Sequence, residues 1–263
     1  MKVFAAIIAI LTLGVMGFFI YEYSLDSVDE TVVVTETPMP VMDEMPPPQA
    51  PTEIDSPPSE EEVKEAGLPP LPDLESSDAY LDSLFEETED WRANATSKHL
   101  IRRAATAVDL ISRGDNPNSQ WNFLQPTSSF KVIEKEDRVV ISEENYDRYQ
   151  TVFNLLDKVP VARAALIYQH LYPLLMSAYD ELGNGDQAFA QKFDRVLQRI
   201  LDFQPPEGEI EVAGKDGTYI FSDPELEDLS ALEKGLIRIG PENTKLLQEK
   251  ISAFREALPK PAE

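Results

Sequence analysis

The stretch DQAFAQKFDRVLQRILDF, residues 186–203, determines the fold class because its apolar residues recur at spacings of three and four. A helix of this period collects its apolar side chains on one face and its charged side chains on the other. We therefore predict a core-facing helix that begins at Asp186 and ends before Pro205-Pro206. The apolar set is Phe189, Phe193, Val196, Leu197, Ile200 and Leu201, and the charged set is Lys192, Asp194, Arg195 and Arg199.

The same kind of periodicity extends over residues 76–260, which we predict to form a globular, mainly α-helical domain with one or two short β-hairpins. Short apolar runs that flank turn residues predict the hairpins, at 130–133 with 138–141 and at 209–212 with 218–221. Pro173 falls inside a predicted helix, where the missing amide proton predicts a kink or break. Further helices are predicted at about 77–85, 97–112, from Ser142 to beyond Leu156, 160–182, 224–237 and 241–258.

The N-terminal segment has the composition of a membrane anchor. An apolar run extends from Val3 to Tyr21, is interrupted only by Thr12, and is long enough to cross a bilayer as a helix. A cleaved secretory signal is the alternative, but the run ends without the small-residue cleavage site of such signals. We therefore predict a single-pass transmembrane helix at residues 1–21. Because Lys2 precedes the run, the positive-inside rule predicts a cytoplasmic N-terminus and an exported remainder.

Residues 22–75 are predicted to be a disordered linker between the anchor and the domain. They contain eleven of the 21 prolines, and fifteen acidic residues against a single lysine. Such a segment buries too little apolar surface to offset the entropy lost on ordering. The linker either gives the domain a defined reach or is a passive spacer, and the sequence leaves both interpretations open.

The charge of the whole chain restricts its partners. The formal net charge is -25 at neutral pH, so nucleic-acid phosphates and anionic lipid surfaces would repel the chain. We therefore expect no nucleic-acid partner. Because the chain has no cysteine, a disulfide framework and thiol chemistry are excluded.

Sequence signatures of catalysis are weak. His99 and His170 lie far apart in the sequence, and neither belongs to a metal-binding or nucleophilic motif. Gly183 and Gly185 are explained by the end of a helix rather than by a phosphate-binding loop. We therefore predict no catalytic residue, metal or cofactor, although the many acidic residues leave a catalytic carboxylate pair open.

A set of arginine, tyrosine, acidic and amide side chains forms the candidates for contact with a ligand or partner. One interpretation is a structural network that holds helix ends, with Asp109 or Asp223 as the carboxylate partner of an arginine. The other is an exposed pocket for an anionic or glycan-like ligand. The candidates are Arg102, Arg103, Asp109, Arg148, Tyr149, Tyr172, Tyr179, Glu181, Tyr219, Asp223, Arg238 and Asn243.

Five strings in the domain resemble a bacterial family of unknown function known as DUF3014. They are LIRRAATAVDLISRG (100–114), YDRY (146–149), LYPLLMSAYDELG (171–183), YIFSDPELEDLS (219–230) and RIGPEN (238–243), and the resemblance spans about residues 71–258. Proteins of this kind are typically anchored at the N-terminus and carry a proline-rich spacer. The resemblance therefore implies a bacterial inner-membrane protein with a periplasmic C-terminal domain, and it implies no activity.

These observations together predict a membrane-anchored binding or interaction module of the cell envelope. Its expected contacts are the inner membrane, through residues 3–21, and a protein or cell-wall partner. One alternative is a periplasmic hydrolase that uses a carboxylate pair. Another is an accessory subunit of an inner-membrane complex, assembled through the anchor helix itself.

Overall fold

The computed structural model describes residues 67–84, 98–117, 129–158, 160–183, 189–215 and 217–258. The predicted anchor at 3–21 and the linker before residue 67 lie outside these ranges. The helices are α1 (Ser77–Leu84), α2 (Leu100–Ser112), α3 (Gln150–Lys158), α4 (Val161–Asp180), α5 (Phe189–Asp202), α6 (Pro224–Glu227), α7 (Ala231–Ile239) and α8 (Pro241–Ala257). Two 3-10 helices span Leu74–Ser76 and Glu143–Tyr149, and the strands are β1 (Val132–Lys135), β2 (Arg138–Ile141), β3 (Val212–Lys215) and β4 (Thr218–Phe221).

The main core lies among four helices. Helices α2 and α8 each pack against both α4 and α5. At the centre, the Tyr168 ring stacks on Phe193 with centroids 5.0 Å apart and meets the edge of Phe254 at 5.7 Å. The stretch that predicted the fold class thus supplies α5, whose apolar residues Phe193 and Val196 are fully buried. The prediction of a mainly α-helical domain is confirmed.

Helix α4 runs through Pro173 as a single element, so of the predicted kink or break, the break does not occur. The proline is exposed, while Leu174 and Leu175 beside it are buried in the core. Packing on the buried side therefore holds the helix together where the proline removes one backbone hydrogen bond.

Local capping divides the predicted helix at 224–237 into α6 and α7. The Ser230 hydroxyl accepts a hydrogen bond from the Glu233 amide, and the Glu233 carboxylate accepts one from the Ser230 amide. This reciprocal pair satisfies two amides that would otherwise lack partners at the start of α7. The apolar periodicity alone predicted one continuous helix over 224–237, across the Ser230 cap.

The two hairpins are confirmed as antiparallel pairs, β1 with β2 and β3 with β4. The second hairpin begins at Val212, later than predicted, because residues 210–211 pair with the first hairpin instead. The Ile141 amide donates to the Ile210 carbonyl at 2.9 Å, and Val140 bridges to Glu211. A small second core joins the hairpins to α7 through Phe221 and Ile237, among others.

Residues 67–75, assigned to the linker by composition, are packed onto the domain. Leu68 belongs to the main core, and the Tyr80 hydroxyl lies 3.0 Å from the Pro69 carbonyl and 2.8 Å from His170 Nε2. Burial raises the pKa of Tyr80 to about 12 and lowers the pKa of His170, which a hydrogen bond with Pro69 partly opposes. The packed region therefore includes these residues.

Within the described ranges, no helix combines the length and the apolar character that crossing a bilayer would require.

Candidate functional site

The candidate arginine on α2 forms an ion pair across the domain. Arg102 donates to both carboxylate oxygens of Glu181 at 2.6 and 2.9 Å, and it also pairs with Glu75. These bonds raise the pKa of Arg102 and lower the pKa of Glu181. Arg103, the next residue, is half-buried, and burial lowers its pKa. Because Glu181 follows the last turn of α4, Arg102 joins the start of α2 to the end of α4.

The candidate carboxylate on α2 lies inside an ion cluster. Asp109 is 3% exposed, accepts a hydrogen bond from Lys192 Nζ at 2.5 Å and forms an ion pair with Arg113 Nη2 at 2.9 Å. The Tyr179 hydroxyl lies 3.5 Å away, and its ring lies 5.7 Å from the Lys192 ammonium. Burial alone would lower the pKa of Lys192, but its bonds to Asp109 and Tyr179 raise it overall. The partners of Asp109 are therefore Lys192 and Arg113, and neither of the adjacent candidates Arg102 and Arg103.

Two further candidates are core residues. Tyr149 has no exposed surface, and Tyr172 packs at the edge of the main core, with its ring 6.0 Å from that of Tyr168. Their aromatic surface therefore contributes to packing.

The remaining candidates lie around the hairpins. The guanidinium of Arg148 lies 6.0 Å from the Phe130 ring, and the Tyr219 ring lies 5.9 Å from the same ring. Arg238 is 5% exposed and lies 5.4 Å above the Phe221 ring.

Asp223 is the N-cap of α6. Its side chain accepts a hydrogen bond from the Glu225 amide at 2.8 Å. Among the described residues Asp223 forms no ion pair with an arginine, which was one of the options that the sequence offered.

The candidates therefore form separate groups at the α2–α4 ends and around the hairpins, and they do not converge on one pocket for an anionic or glycan-like ligand. A different place has the shape of a binding site. An open cleft of about 840 Å³ lies between the first hairpin, the Pro205-Pro206 segment and the start of α8. A smaller cleft of about 440 Å³ adjoins it, and the two share Glu143, Glu144, Tyr146 and Pro241. We call the two clefts together the Tyr146 groove.

Apolar side chains from several elements line the larger cleft. Its volume falls within the range of about 300–1,000 Å³ that is typical of ligand sites. Ile133, at 44% exposed, is one of the large hydrophobic residues that the described surface presents to solvent. The apolar lining is Ile133, Val140, Ile141, Tyr146, Pro205, Pro206, Ile210, Ile237 and Pro241.

Tyr146, which lies between the two clefts, is held by the loop that joins α7 to α8. Gly240 has φ of 89° and ψ of 161°, and a Cβ built there would lie 2.6 Å from Cγ of Tyr146. The Asn243 amide donates to the Tyr146 carbonyl at 3.2 Å and to the Ile239 carbonyl at 2.9 Å. Of the predicted candidates, Asn243 alone lines this groove. The fold thus brings the strings YDRY and RIGPEN into contact.

Carboxylates surround the groove. Glu143, Glu207, Asp147 and Glu242 are exposed on its walls, and Lys245 is the only basic residue in the described lining. Burial raises the pKa of Tyr146, and the charge of Glu143 raises it further. The groove therefore combines an apolar floor with a negative rim.

Two other rim carboxylates are paired. Hydrogen bonds from Lys131 and Lys135 lower the pKa of Glu144 and Glu209, respectively. An acid that protonates a leaving group needs a raised pKa instead. Within the described residues, no cluster of three or more histidine, aspartate or glutamate side chains is arranged to hold a metal ion.

Sequence reasoning missed the Tyr146 groove, although it used parts of it. Pro205-Pro206 was interpreted only as a helix stop, and Tyr146 entered only as part of a resemblance. Periodicity does not predict that the 204–210 segment, the first hairpin and α8 contact one another, because these segments lie far apart in the sequence.

Comparison with known proteins places the chain in a family but supplies no activity. The family model described as "Protein of unknown function (DUF3014)" matches residues 100–255, which is more than half of the chain. No curated protein and no solved structure matches. The motif resemblance is thereby confirmed, and the chain belongs to the DUF3014 family.

Proposed function

We propose that this chain is a tethered protein-binding module of the bacterial cell envelope. In this proposal, residues 3–21 anchor it in the inner membrane, residues 22–66 form the spacer, and the domain, which includes the packed residues 67–75, presents the Tyr146 groove on the periplasmic side. The observation that carries the proposal is the groove itself, an open cleft of about 840 Å³ with an apolar floor. Exposed apolar surface in a concave site favours association with another molecule.

The tether gives the groove a physical advantage. About 45 linker residues, 22–66, would span about 37 Å as a flexible coil and about 140 Å as a polyproline-type chain. A partner embedded in or lying near the same membrane would meet the groove at an effective concentration set by that reach. A modest intrinsic affinity would then suffice for capture.

The alternative functions have less support. For a hydrolase, the displaced pKa values of Glu144 and Glu209 are in the wrong direction for a general acid. For an accessory subunit joined through the anchor helix, no observation within the described residues bears on the contact.

Site-specific photocrosslinking in intact cells tests the proposal. A photoreactive amino acid replaces Ile133, which is 44% exposed and lines the groove, and in a matched control it replaces Tyr219, which is 36% exposed and lies outside the lining. We expect a discrete protein adduct from position 133 and none from position 219. Absence of an adduct at 133, or the same adducts from both positions, would contradict the proposal.

The topology needs its own test. An alkaline phosphatase fused after residue 263 should be active, and alkaline carbonate should leave the chain in the membrane pellet. A chain released by carbonate, or an inactive fusion that is nevertheless produced in full, would contradict the proposed anchoring.

A further inference from the structure

The charge of the Tyr146 groove indicates what kind of segment it binds. We infer that its occupant is an extended apolar segment of another protein that carries lysine or arginine side chains. This inference rests on the proposed function and adds the chemistry of the partner.

The first argument is the charge that remains on the rim. Glu143 and Glu207 in the larger cleft, and Asp147 and Glu242 in the smaller one, form no ion pair with any described residue. By contrast, Glu144 pairs with Lys131, and Glu209 pairs with Lys135 and Arg138. Four exposed carboxylates thus face the groove without an ion-pair partner among the described residues, and the described lining contains a single amine, that of Lys245.

The second argument is that charge and apolar surface occur together. The floor residues Ile210 and Ile141 are 7% and 6% exposed, while Ile133 at one wall is 44% exposed. A partner segment that alternates apolar and basic side chains can bury the former on the floor and place the latter at the rim.

The same charges exclude the other occupants within reach. The chain's own linker carries fifteen acidic residues and one lysine, so the rim would repel it. Phosphate groups and anionic glycans would meet the same repulsion. The negative charge of the rim therefore disfavours binding of the chain's own linker, and this keeps the groove available to a partner.

The probes for the test are three ten-residue peptides, in which leucine alternates with lysine, with glutamate or with glutamine. They are fluorescently labelled and titrated with the purified full chain in non-ionic detergent. We expect the leucine-lysine peptide to bind, the other two to bind at least about tenfold more weakly, and the affinity to fall as salt is added.

Because the whole chain is acidic, a variant that loses groove carboxylates needs a control of equal net charge. The groove variant is Glu143→Gln with Glu207→Gln, and the control is Asp82→Asn with Glu256→Gln, whose side chains are exposed outside the groove. We expect about tenfold weaker binding of the leucine-lysine peptide to the groove variant and little change in the control. All four positions are exposed, so both variants should fold.

Equal binding of the three peptides, or equal loss in the two variants, would overturn the inference. Crosslinking at Ile133 separates this outcome from failure of the proposed function. An adduct with an acidic or uncharged segment of a partner would overturn the inference but retain the binding module. An adduct with another segment of this same chain would overturn both.

Discussion

The loop between α7 and α8 provides the sharpest test of how the groove is built. Gly240 carries φ of 89° and ψ of 161°, and a Cβ there would lie 2.6, 2.7 and 2.8 Å from three ring carbons of Tyr146. We predict that Gly240→Ala both destabilises the domain and displaces the Tyr146 ring, because alanine disfavours this backbone conformation and its methyl group overlaps the ring.

Two separate contributions determine the size of the effect. A residue with a side chain in this conformation costs about 1–3 kcal/mol. Inserting a methyl group into an occupied space costs about another 1–3 kcal/mol when the neighbour must move. The Tyr146 backbone is held by the Asn243 amide at 3.2 Å, so ring displacement takes up most of the overlap. The free energy of unfolding should therefore fall by about 2–6 kcal/mol in total.

Gly114→Ala is the matched control for the backbone contribution, because Gly114 lies outside the groove lining. Gly114 has φ of 85°, and nothing lies within 4 Å of a Cβ built there. Urea unfolding of the purified chain, followed by circular dichroism, should show a loss of about 1–2 kcal/mol for this control. Binding of the leucine-lysine peptide should change only in the Gly240 variant. Losses in the two variants that agree within about 0.5 kcal/mol would refute the overlap argument.

Three further changes test the ion clusters and the histidine. Lys192→Met should lower the free energy of unfolding by about 3 kcal/mol, because it leaves the buried Asp109 carboxylate, 3% exposed, with one cation fewer. Adding Asp109→Leu to this variant should recover most of the loss. Losses that simply add in the double variant would contradict the pairing. Arg102→Met should shift the urea midpoint less than Lys192→Met does, because its ion pairs are exposed. Because burial lowers the pKa of His170, the contribution of its neutral imidazole to stability is complete above pH 6.5 and is lost as the pH falls below that value. His170→Gln should therefore flatten the dependence of the urea midpoint on pH. An unchanged dependence would show that His170 is not the titrating group.

Much of the fold could be predicted because it depends on local chemistry. The apolar spacing of residues 189–201 specified α5, and Ser142 and Gly114 lie at the helix boundaries that their types predict. The wrong predictions concern positions at which tertiary packing overrides the local preference of a residue. Pro173 does not break α4, because its ring is exposed and the adjacent leucines are buried.

The site could be predicted only in part, because a site depends on contacts between segments distant in the sequence. Arg102 joins Glu181 through a bidentate pair, and both were candidates, so their structural role was within reach of sequence reasoning. The groove was not, since Pro205, Tyr146 and Lys245 have no relation along the chain that predicts their proximity. A hydrophobic pattern reports which face of an element is buried, but it does not report which element covers it.

The sequence by itself determined the helical class, the two hairpins, the family and the strong negative charge. Periodicity, turn residues and motif strings are properties of short segments, and net charge is a total over the whole chain. Only the tertiary structure decided that Asp109 pairs with Lys192 and that Tyr146 rests on Gly240 beside an acidic groove. Those contacts form when packing of the main core fixes the relative positions of α2, α5 and α8, and the free energy of that packing is shared among all the segments.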